Sequence, residues 1–174
     1  NIDKPALPAL WPNKKGMSVV LDLGANIECN SKNLVDFSIM GASLYKSLYP
    51  TENPNVALLN IGSEELKGNE IIKETFHKLN QKNNDNFNFA GYIEGNELMN
   101  GIVNVIVSDG FTGNVALKTA EGTANFITGE LKKAFKGSLL GKISSLLNIV
   151  NLNKFKKRLD LRLYNGAIFI GLDT

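Results

Sequence analysis

The sequence has few of the side chains that metal sites and nucleophilic catalysis require. Its 174 residues include one cysteine, Cys29, and one histidine, His77. One cysteine excludes an internal disulfide framework and a cysteine-based zinc cluster, and one histidine excludes the two-histidine zinc motif. Cys29 has no lysine or histidine beside it in the sequence, so we expect an inert thiol. The pattern around His77 predicts a solvent-facing side chain. We expect neither a metal nor a cofactor.

Several other signatures are absent. No apolar run reaches the roughly 18 residues that a membrane-spanning helix needs. No Gly-x-Gly-x-x-Gly fingerprint is present, and the stretch 137–143 has isoleucine where a phosphate-binding P-loop needs serine or threonine. No secretory leader opens the sequence, so we expect a cytoplasmic protein. The first residue is Asn1 rather than methionine, and we expect a processed chain or a piece of a longer one.

Short apolar runs alternate with amphipathic ones along the chain. Runs at 18–23, 56–61, 87–90 and 102–107 predict strands. Segments 32–48, 69–82 and 113–136 predict helices, the first of them capped by Ser31. Alternating apolar strands and helices predict a single α/β domain over 1–174, with three α/β/α layers and a largely parallel sheet.

Polar or glycine-rich stretches follow all four predicted strands, at 24–26, 62–69, 91–95 and 109–114. The carboxyl ends of parallel strands share one edge of the sheet, and ligands of such sheets bind there. Glycine also ends strands where no ligand binds, so one such stretch carries little weight. Four together indicate a candidate site at this edge.

Positive charge is concentrated in one segment. The net charge is +2, yet residues 129–164 carry nine basic and two acidic side chains. We predict a basic amphipathic helical insertion at about 137–163 that contacts an anionic membrane surface. Its membrane-contacting side chains would be Leu139, Ile143, Leu146, Leu147 and Phe155. Packing against a second copy and docking of an acidic partner protein are the alternatives. No nucleic acid is expected, because the segment has one aromatic residue and no recognised binding motif.

Four sequence blocks together are similar to a known family. They are Leu21-Asp-Leu-Gly-Ala-Asn26, the stretch 58–70 (LLNIGSEELKGNE), Gly91-Tyr-Ile-Glu-Gly95 and the stretch 108–122 (SDGFTGNVALKTAEG). The chain resembles the bacterial phosphate acyltransferases of phospholipid synthesis, over residues 2–126. Family members are considerably longer and begin with a strand and a Gly-rich segment that this sequence does not contain. The resemblance therefore predicts that the chain is the central and later part of such an enzyme.

The resemblance implies an activity, a fold and partners. The activity is conversion of acyl-acyl carrier protein and inorganic phosphate to acyl phosphate and free carrier protein. The fold would be like that of isopropylmalate dehydrogenases and phosphate acetyltransferases. The protein would be a homodimer, cytoplasmic and peripherally attached to the membrane. Two alternatives stay open: a phosphate acetyltransferase-like enzyme acting on acyl-coenzyme A, and a truncated binding module for membrane or carrier protein without catalysis.

The residue chemistry fits this reaction, because phosphate is already a nucleophile and a thiolate is a tolerable leaving group. The enzyme needs to hold phosphate in line and to stabilise an oxyanion. We assign those tasks to four candidate catalytic residues, Lys67, Asn69, Asn60 and Asn114. The candidate phosphate-binding residues are Asn26, Gly62, Asp109, Gly110, Gly113 and Lys118. Backbone amides of 109–114 are expected to be open to an anion at a helix start. Asn114 as a helix cap and Lys118 as a solvated side chain are the structural alternatives.

Overall fold

Five strands form one mixed sheet in the computed structural model, which describes residues 3–50, 53–81, 85–159 and 169–171. The strands are β1 (Ala9–Asn13), β2 (Gly16–Leu21), β3 (Asn55–Asn60), β4 (Asn88–Glu94) and β5 (Val105–Val107). Their order across the sheet is β1-β2-β5-β3-β4. The last four strands in this order are parallel, and β1 is antiparallel to β2. The prediction of an α/β chain with a largely parallel sheet is confirmed.

Five α-helices lie in the described residues, and the first three cover the two faces of the sheet. They are α1 (Ser31–Leu48), α2 (Glu70–Gln81), α3 (Gly110–Lys136), α4 (Leu139–Leu147) and α5 (Ile149–Leu159). Side chains of a strand alternate between faces. Leu21 accordingly lies in the core with Phe37 of α1, whereas Val20 lies in the opposite core with Leu117 of α3. The arrangement is consistent with three α/β/α layers.

Strand β1 was not predicted from the sequence. Pro8 and Pro12 flank and interrupt it, and proline removes a donor that a strand needs. The structure resolves the conflict by placing β1 at the edge of the sheet, where proline is tolerated. Its Trp11 is 1% exposed and donates its indole N–H to the Met99 sulfur at 3.1 Å.

Several predicted boundaries are wrong for local reasons. Helix α1 is capped by Asn30 rather than Ser31, because Asn30 and Asn33 form a reciprocal capping box. Strand β4 runs through the predicted loop 91–95 as far as Glu94. Gly91 stays in the strand with a φ of +82° at a shift of register against β3, a conformation that suits glycine. The predicted strand 102–107 is a strand only over Val105–Val107. Val103 is buried but lies before the strand begins.

Helix α3 extends well past the sheet. Its buried residues are Gly110, Gly113 and Leu117, all in the first third of the helix. The predicted insertion at 137–163 is helical over α4 and α5, and residues 160–163 lie outside the described part. Ala6, near the start of the described residues, forms an isolated antiparallel β-bridge with Ile170. Within the described residues no helix is both long and apolar enough to cross a bilayer.

Candidate functional site

Three of the predicted polar stretches begin at one edge of the sheet. Leu21 of β2 and Leu58 of β3 both pair with Val107 of β5, so the three strands end at nearly the same level. The chain continues from them into residues 22–26, 61–69 and 108–114. Because the strands are parallel, these stretches meet at the carboxyl edge, as the sequence indicated. Stretch 91–95 contributes only its end, where Gly95 begins a short 3-10 helix.

Asp22 organises the first stretch. Its side chain is fully buried, and its Oδ1 accepts hydrogen bonds from the amides of Leu7, Gly24 and Ala25 at 3.1–3.3 Å. Its Oδ2 accepts from the amide and the side-chain amide of Asn26 at 2.7 and 2.8 Å. A buried carboxylate is tolerated only when its lone pairs are satisfied. Five donors do so here, and they fix the shape of the loop.

The start of α3 rests directly on this loop. The Gly110 amide donates to the Asn26 carbonyl oxygen at 2.8 Å. A Cβ at Gly110 would lie 2.5 Å from that oxygen, and one at Gly113 would lie 1.9 Å from the Asp22 carbonyl oxygen. Both glycines therefore permit a close approach of backbones that no other residue allows. Gly110 and Gly113 thus contribute to the candidate site by letting α3 pack against the loop that follows β2.

The expectation that the amides of 109–114 are open to an anion is wrong for three of them. Gly110 bonds Asn26, Thr112 bonds the Asp109 carboxylate at 2.8 Å, and Gly113 bonds the Asp109 carbonyl. The Asp109 side chain caps the helix and also accepts from the Thr112 hydroxyl at 2.7 Å. This carboxylate complements the positive end of the helix dipole that an anion would otherwise occupy.

Asn26 and Asn114 differ in what they leave available. The Asn26 side-chain amide donates to both Pro5 and Asp22, so its donor hydrogens are used within the fold. Asn114 is exposed on the first turns of α3 and packs beside Gly24, where an added Cβ would lie 3.6 Å from the Asn114 Cβ. Asp109 caps α3, so Asn114 is not its cap. Asn114 can present its amide to a ligand at this edge.

Asn60 builds the second stretch, residues 61–69. Its side-chain Nδ2 donates to the Lys67 carbonyl oxygen at 3.1 Å, and its Oδ1 accepts from the Ile61 amide at 2.9 Å. Gly68 has a φ of +92°, and a Cβ there would lie 2.5 Å from Asn60 Oδ1. The turn at Gly68 and the Asn60 side chain thus hold this loop closed upon the strand end.

The same loop presents Lys67 and Asn69 to solvent. Asn69 Oδ1 accepts from the Ile72 amide at 2.9 Å and so caps α2. The Lys67 stem runs along Gly62, where an added Cβ would lie 3.0 Å from Lys67 Cγ. Within the described ranges, the Lys67 ammonium has no carboxylate or carbonyl partner. It is therefore a cation at the carboxyl edge that is available to an anionic ligand.

Lys118 is in a different situation. It lies two turns into α3, and its ammonium pairs with the Glu121 carboxylate at 2.9 Å. A phosphate at Lys118 would compete with that carboxylate. The lysine in the loop after β3 is thus better placed to hold an anion than the lysine on α3.

Cys29 and His77, to which the sequence analysis gave no catalytic role, lie away from solvent and in solvent respectively. Cys29 is 9% exposed, and burial raises the pKa of its thiol, which keeps it protonated and unreactive. The His77 side chain is 61% exposed on α2, in the solvent-facing position that its pattern indicated. The residues that the structure describes hold no cluster of three or more metal-ligating side chains.

Apolar side chains at the same edge were missed in the sequence. Ile27 is 71% exposed, Ile61 81%, Leu66 85% and Phe111 62%. Ile27, Ile61 and Leu66 lie between a strand end and a helix, and Phe111 lies in the first turn of α3. Their position just after a strand was the signal available. Leu66 immediately precedes Lys67, so the loop after β3 carries an exposed apolar side chain next to its cation in the sequence.

Comparison with known proteins identifies relatives along the whole sequence. The family described as "Fatty acid synthesis protein" matches residues 1–174. The phosphate acyltransferase of Pelagibacter ubique is 79% identical over 174 residues, which are all of this chain and 52% of that protein. The phosphate acyltransferase of Rhodospirillum rubrum is 49% identical over 172 residues, or 99% of this chain and 49% of that protein.

The relatives are longer than this chain. A third, the phosphate acyltransferase of Maricaulis maris, is 45% identical over 98% of this chain and 49% of its own length. The chain thus spans about half the length of the curated relatives it matches. Its match over every residue, with an α/β sheet whose polar loops meet at one edge, establishes that the chain belongs to the fatty acid synthesis protein family.

Proposed function

We propose that this chain forms part of an enzyme that transfers an acyl group from acyl carrier protein to inorganic phosphate. A phosphate oxygen attacks the thioester carbon, a C–O bond forms and the C–S bond breaks. The thiolate of the carrier protein leaves and takes up a proton. The products are acyl phosphate and free carrier protein, in an early step of phospholipid synthesis. The relationship to proteins named phosphate acyltransferase carries the proposal.

Lys67 is the proposed phosphate-binding cation. Its ammonium has no partner within the described ranges, and its loop is closed by Asn60 and Gly68. An ammonium that has no internal partner gives up no ion pair when it binds an anion. Asn69 and Asn114 are exposed amides at the same edge and are proposed to orient phosphate or the thioester oxygen. Gly62 has no side chain and therefore leaves room for the methylene groups of Lys67.

Asn26, Asp109, Gly110 and Gly113 are proposed to act by positioning. Their hydrogen bonds and close contacts hold the start of α3 against the Asp22 loop. Lys118 would contribute only after releasing Glu121, and we propose a secondary electrostatic role for it. No side chain is required to attack the thioester, which agrees with a buried Cys29 and a solvent-facing His77.

The full protein is proposed to resemble isopropylmalate dehydrogenases and phosphate acetyltransferases in fold and to form a homodimer. It would work in the cytoplasm at an anionic membrane surface. The apolar side chains on α4 and α5 support the membrane contact: Leu139, Ile143, Leu146, Leu147 and Phe155 are 75%, 50%, 70%, 80% and 42% exposed. Lysines on the same two helices supply the complementary charge.

The catalytic proposal is tested by acyl phosphate formation from acyl-acyl carrier protein and phosphate, using the full-length protein. We expect Lys67→Ala and Asn114→Ala each to lower the rate at least about tenfold, as the loss of a transition-state donor does. Lys15→Ala removes an exposed lysine at the opposite edge of the sheet and should leave the rate unchanged. Unchanged rates in both site variants would remove these residues from the mechanism. Activity with acyl-coenzyme A but not with carrier protein would favour a phosphate acetyltransferase-like enzyme.

The membrane proposal is tested separately by flotation with vesicles containing anionic lipid. Leu139→Asp combined with Leu147→Asp should abolish flotation, because each aspartate places a charge in the apolar face. The control is Ile71→Asp on α2, which changes a partly exposed apolar residue outside the two helices. Flotation that survives the double substitution would refute contact through this face.

A further inference from the structure

A groove separates the distal part of α3 from α4 and α5. It encloses about 380 Å³ and is lined by all three helices. The helices approach closely at one end, where a Cβ on Gly141 would lie 2.5 Å from the Phe135 carbonyl oxygen. The volume lies within the roughly 300–1,000 Å³ of small-molecule sites. The groove is far along α3 from the buried turns that pack on the sheet.

The groove has an apolar floor and a basic rim. Its apolar lining consists of Leu131, Phe135, Leu146, Ile149, Leu152 and Phe155. Its charged lining consists of Lys132, Lys136, Lys142 and Lys156, with no acidic side chain among the lining residues. Glu130, the acidic residue nearest in sequence, pairs with Lys133 instead. The four lysines therefore have no carboxylate partner in the described residues.

This groove shares Leu146 and Phe155 with the side chains proposed to contact membrane and differs from that face elsewhere. On α4, Leu146 lines the groove, whereas Leu139 and Leu147 do not. The same division separates Ile149 from Val150 on α5. A planar membrane surface would contact the outward side chains, whereas a groove of about 380 Å³ between three helices suits a single flexible chain. The charges at its rim suit an anionic head group.

We propose that the groove binds one fatty chain with an anionic phosphate head, the methylenes on the apolar floor and the phosphate among the lysines. This rests on the proposed function, whose acyl phosphate product has that chemistry. The groove would hold the product as a single molecule after it leaves the carboxyl edge of the sheet. Its occupant is thus a free amphiphile and not a lipid within a bilayer.

The test is calorimetric titration of the full-length protein with dodecyl phosphate below its micelle concentration. We expect saturable binding with one ligand per chain. Octyl phosphate should bind at least about tenfold more weakly, because each buried methylene contributes to the affinity. Inorganic phosphate alone should not compete at equal concentration. This binding needs no catalysis, so a failure to form acyl phosphate leaves the measurement unaffected.

Two matched pairs of variants locate the site. Leu146→Asp and Lys142→Glu alter lining residues and should each weaken binding at least about fivefold. Leu147→Asp and Lys154→Glu alter neighbours that do not line the groove and should bind as the unchanged protein does. All four positions are exposed, so circular dichroism should report the same helix content.

Three results would overturn the proposal. One is the absence of saturable binding to dodecyl phosphate when vesicles of anionic lipid still bind, which would assign the surface to membrane alone. Another is an equal loss in both members of each pair. The third is self-association that Leu146→Asp abolishes and Leu147→Asp preserves, without amphiphile binding, which would assign the groove to a second copy.

Discussion

The close contact of α3 with the Asp22 loop makes a strong prediction about Gly113. A methyl group at this position would lie 1.9 Å from the Asp22 carbonyl oxygen and 2.7 Å from the Ser108 hydroxyl. Neither the backbone carbonyl nor the strand end behind it can move freely. Gly113→Ala must therefore push α3 away from the sheet. Forced packing of this kind costs about 1–3 kcal/mol and sometimes more.

Gly122 provides a control in the same helix. Nothing lies within 4 Å of a Cβ at Gly122, and the helix preference of alanine over glycine is about 1 kcal/mol. Gly122→Ala should therefore be stabilising. Both substitutions share the gain in helix preference, so the difference between them isolates the contact with Asp22. We expect Gly113→Ala to be less stable than Gly122→Ala by about 1–3 kcal/mol or more.

The assay is urea unfolding followed by circular dichroism. The midpoints of the two variants and of the unchanged protein are compared, provided that the dependence of unfolding free energy on urea is the same in all three. The Gly122→Ala midpoint should rise, and the Gly113→Ala midpoint should lie clearly below it. Because the displaced helix carries Asn114, the rate of acyl phosphate formation should fall in the Gly113 variant only. Equal midpoints for the two variants would refute the close approach of α3 to the loop.

Three further predictions follow from single contacts. Asp22→Asn should lower the free energy of unfolding by about 1–3 kcal/mol or more in urea, because five donors face a group with one acceptor oxygen; an unchanged midpoint would contradict this network. Cys29 should react with a disulfide reagent at pH 8 much more slowly than in urea-unfolded protein, because burial raises its pKa, and equal rates would contradict its burial. Gly68→Ala strains a φ of +92° and meets Asn60, so it should lower acyl phosphate formation more than Gly129→Ala, which meets nothing; similar rates would separate the loop from catalysis.

The sequence predicted the parts of the fold that apolar periodicity specifies. The runs around Val19, Leu58 and Ile106 are buried strands, and the segments around Phe37 and Leu79 are helices packed on them. Their parallel arrangement followed from alternation of strand and helix, and it places the polar stretches on one edge. Strand β1 was missed because Pro12 argues against a strand unless the strand lies at an edge, and topology decides that.

The candidate site was predicted less completely, because hydrogen-bond partners do not follow from spacing. Asn26 was a potential ligand in the sequence, yet the fold uses its donors on Pro5 and Asp22. Asp109 places its own carboxylate where an anion was expected. Lys67 and Lys118 were both candidates in the sequence, and the contact of Lys118 with Glu121 does not follow from spacing.

The central claim is that phosphate, rather than a side chain, attacks the thioester. It is tested most directly by incubating the full-length protein with acyl-acyl carrier protein in the absence of phosphate and weighing the intact protein by mass spectrometry. The account predicts an unchanged protein mass and no free carrier protein until phosphate is added. A protein heavier by one acyl group, with an equal amount of carrier protein released before phosphate is added, would contradict it.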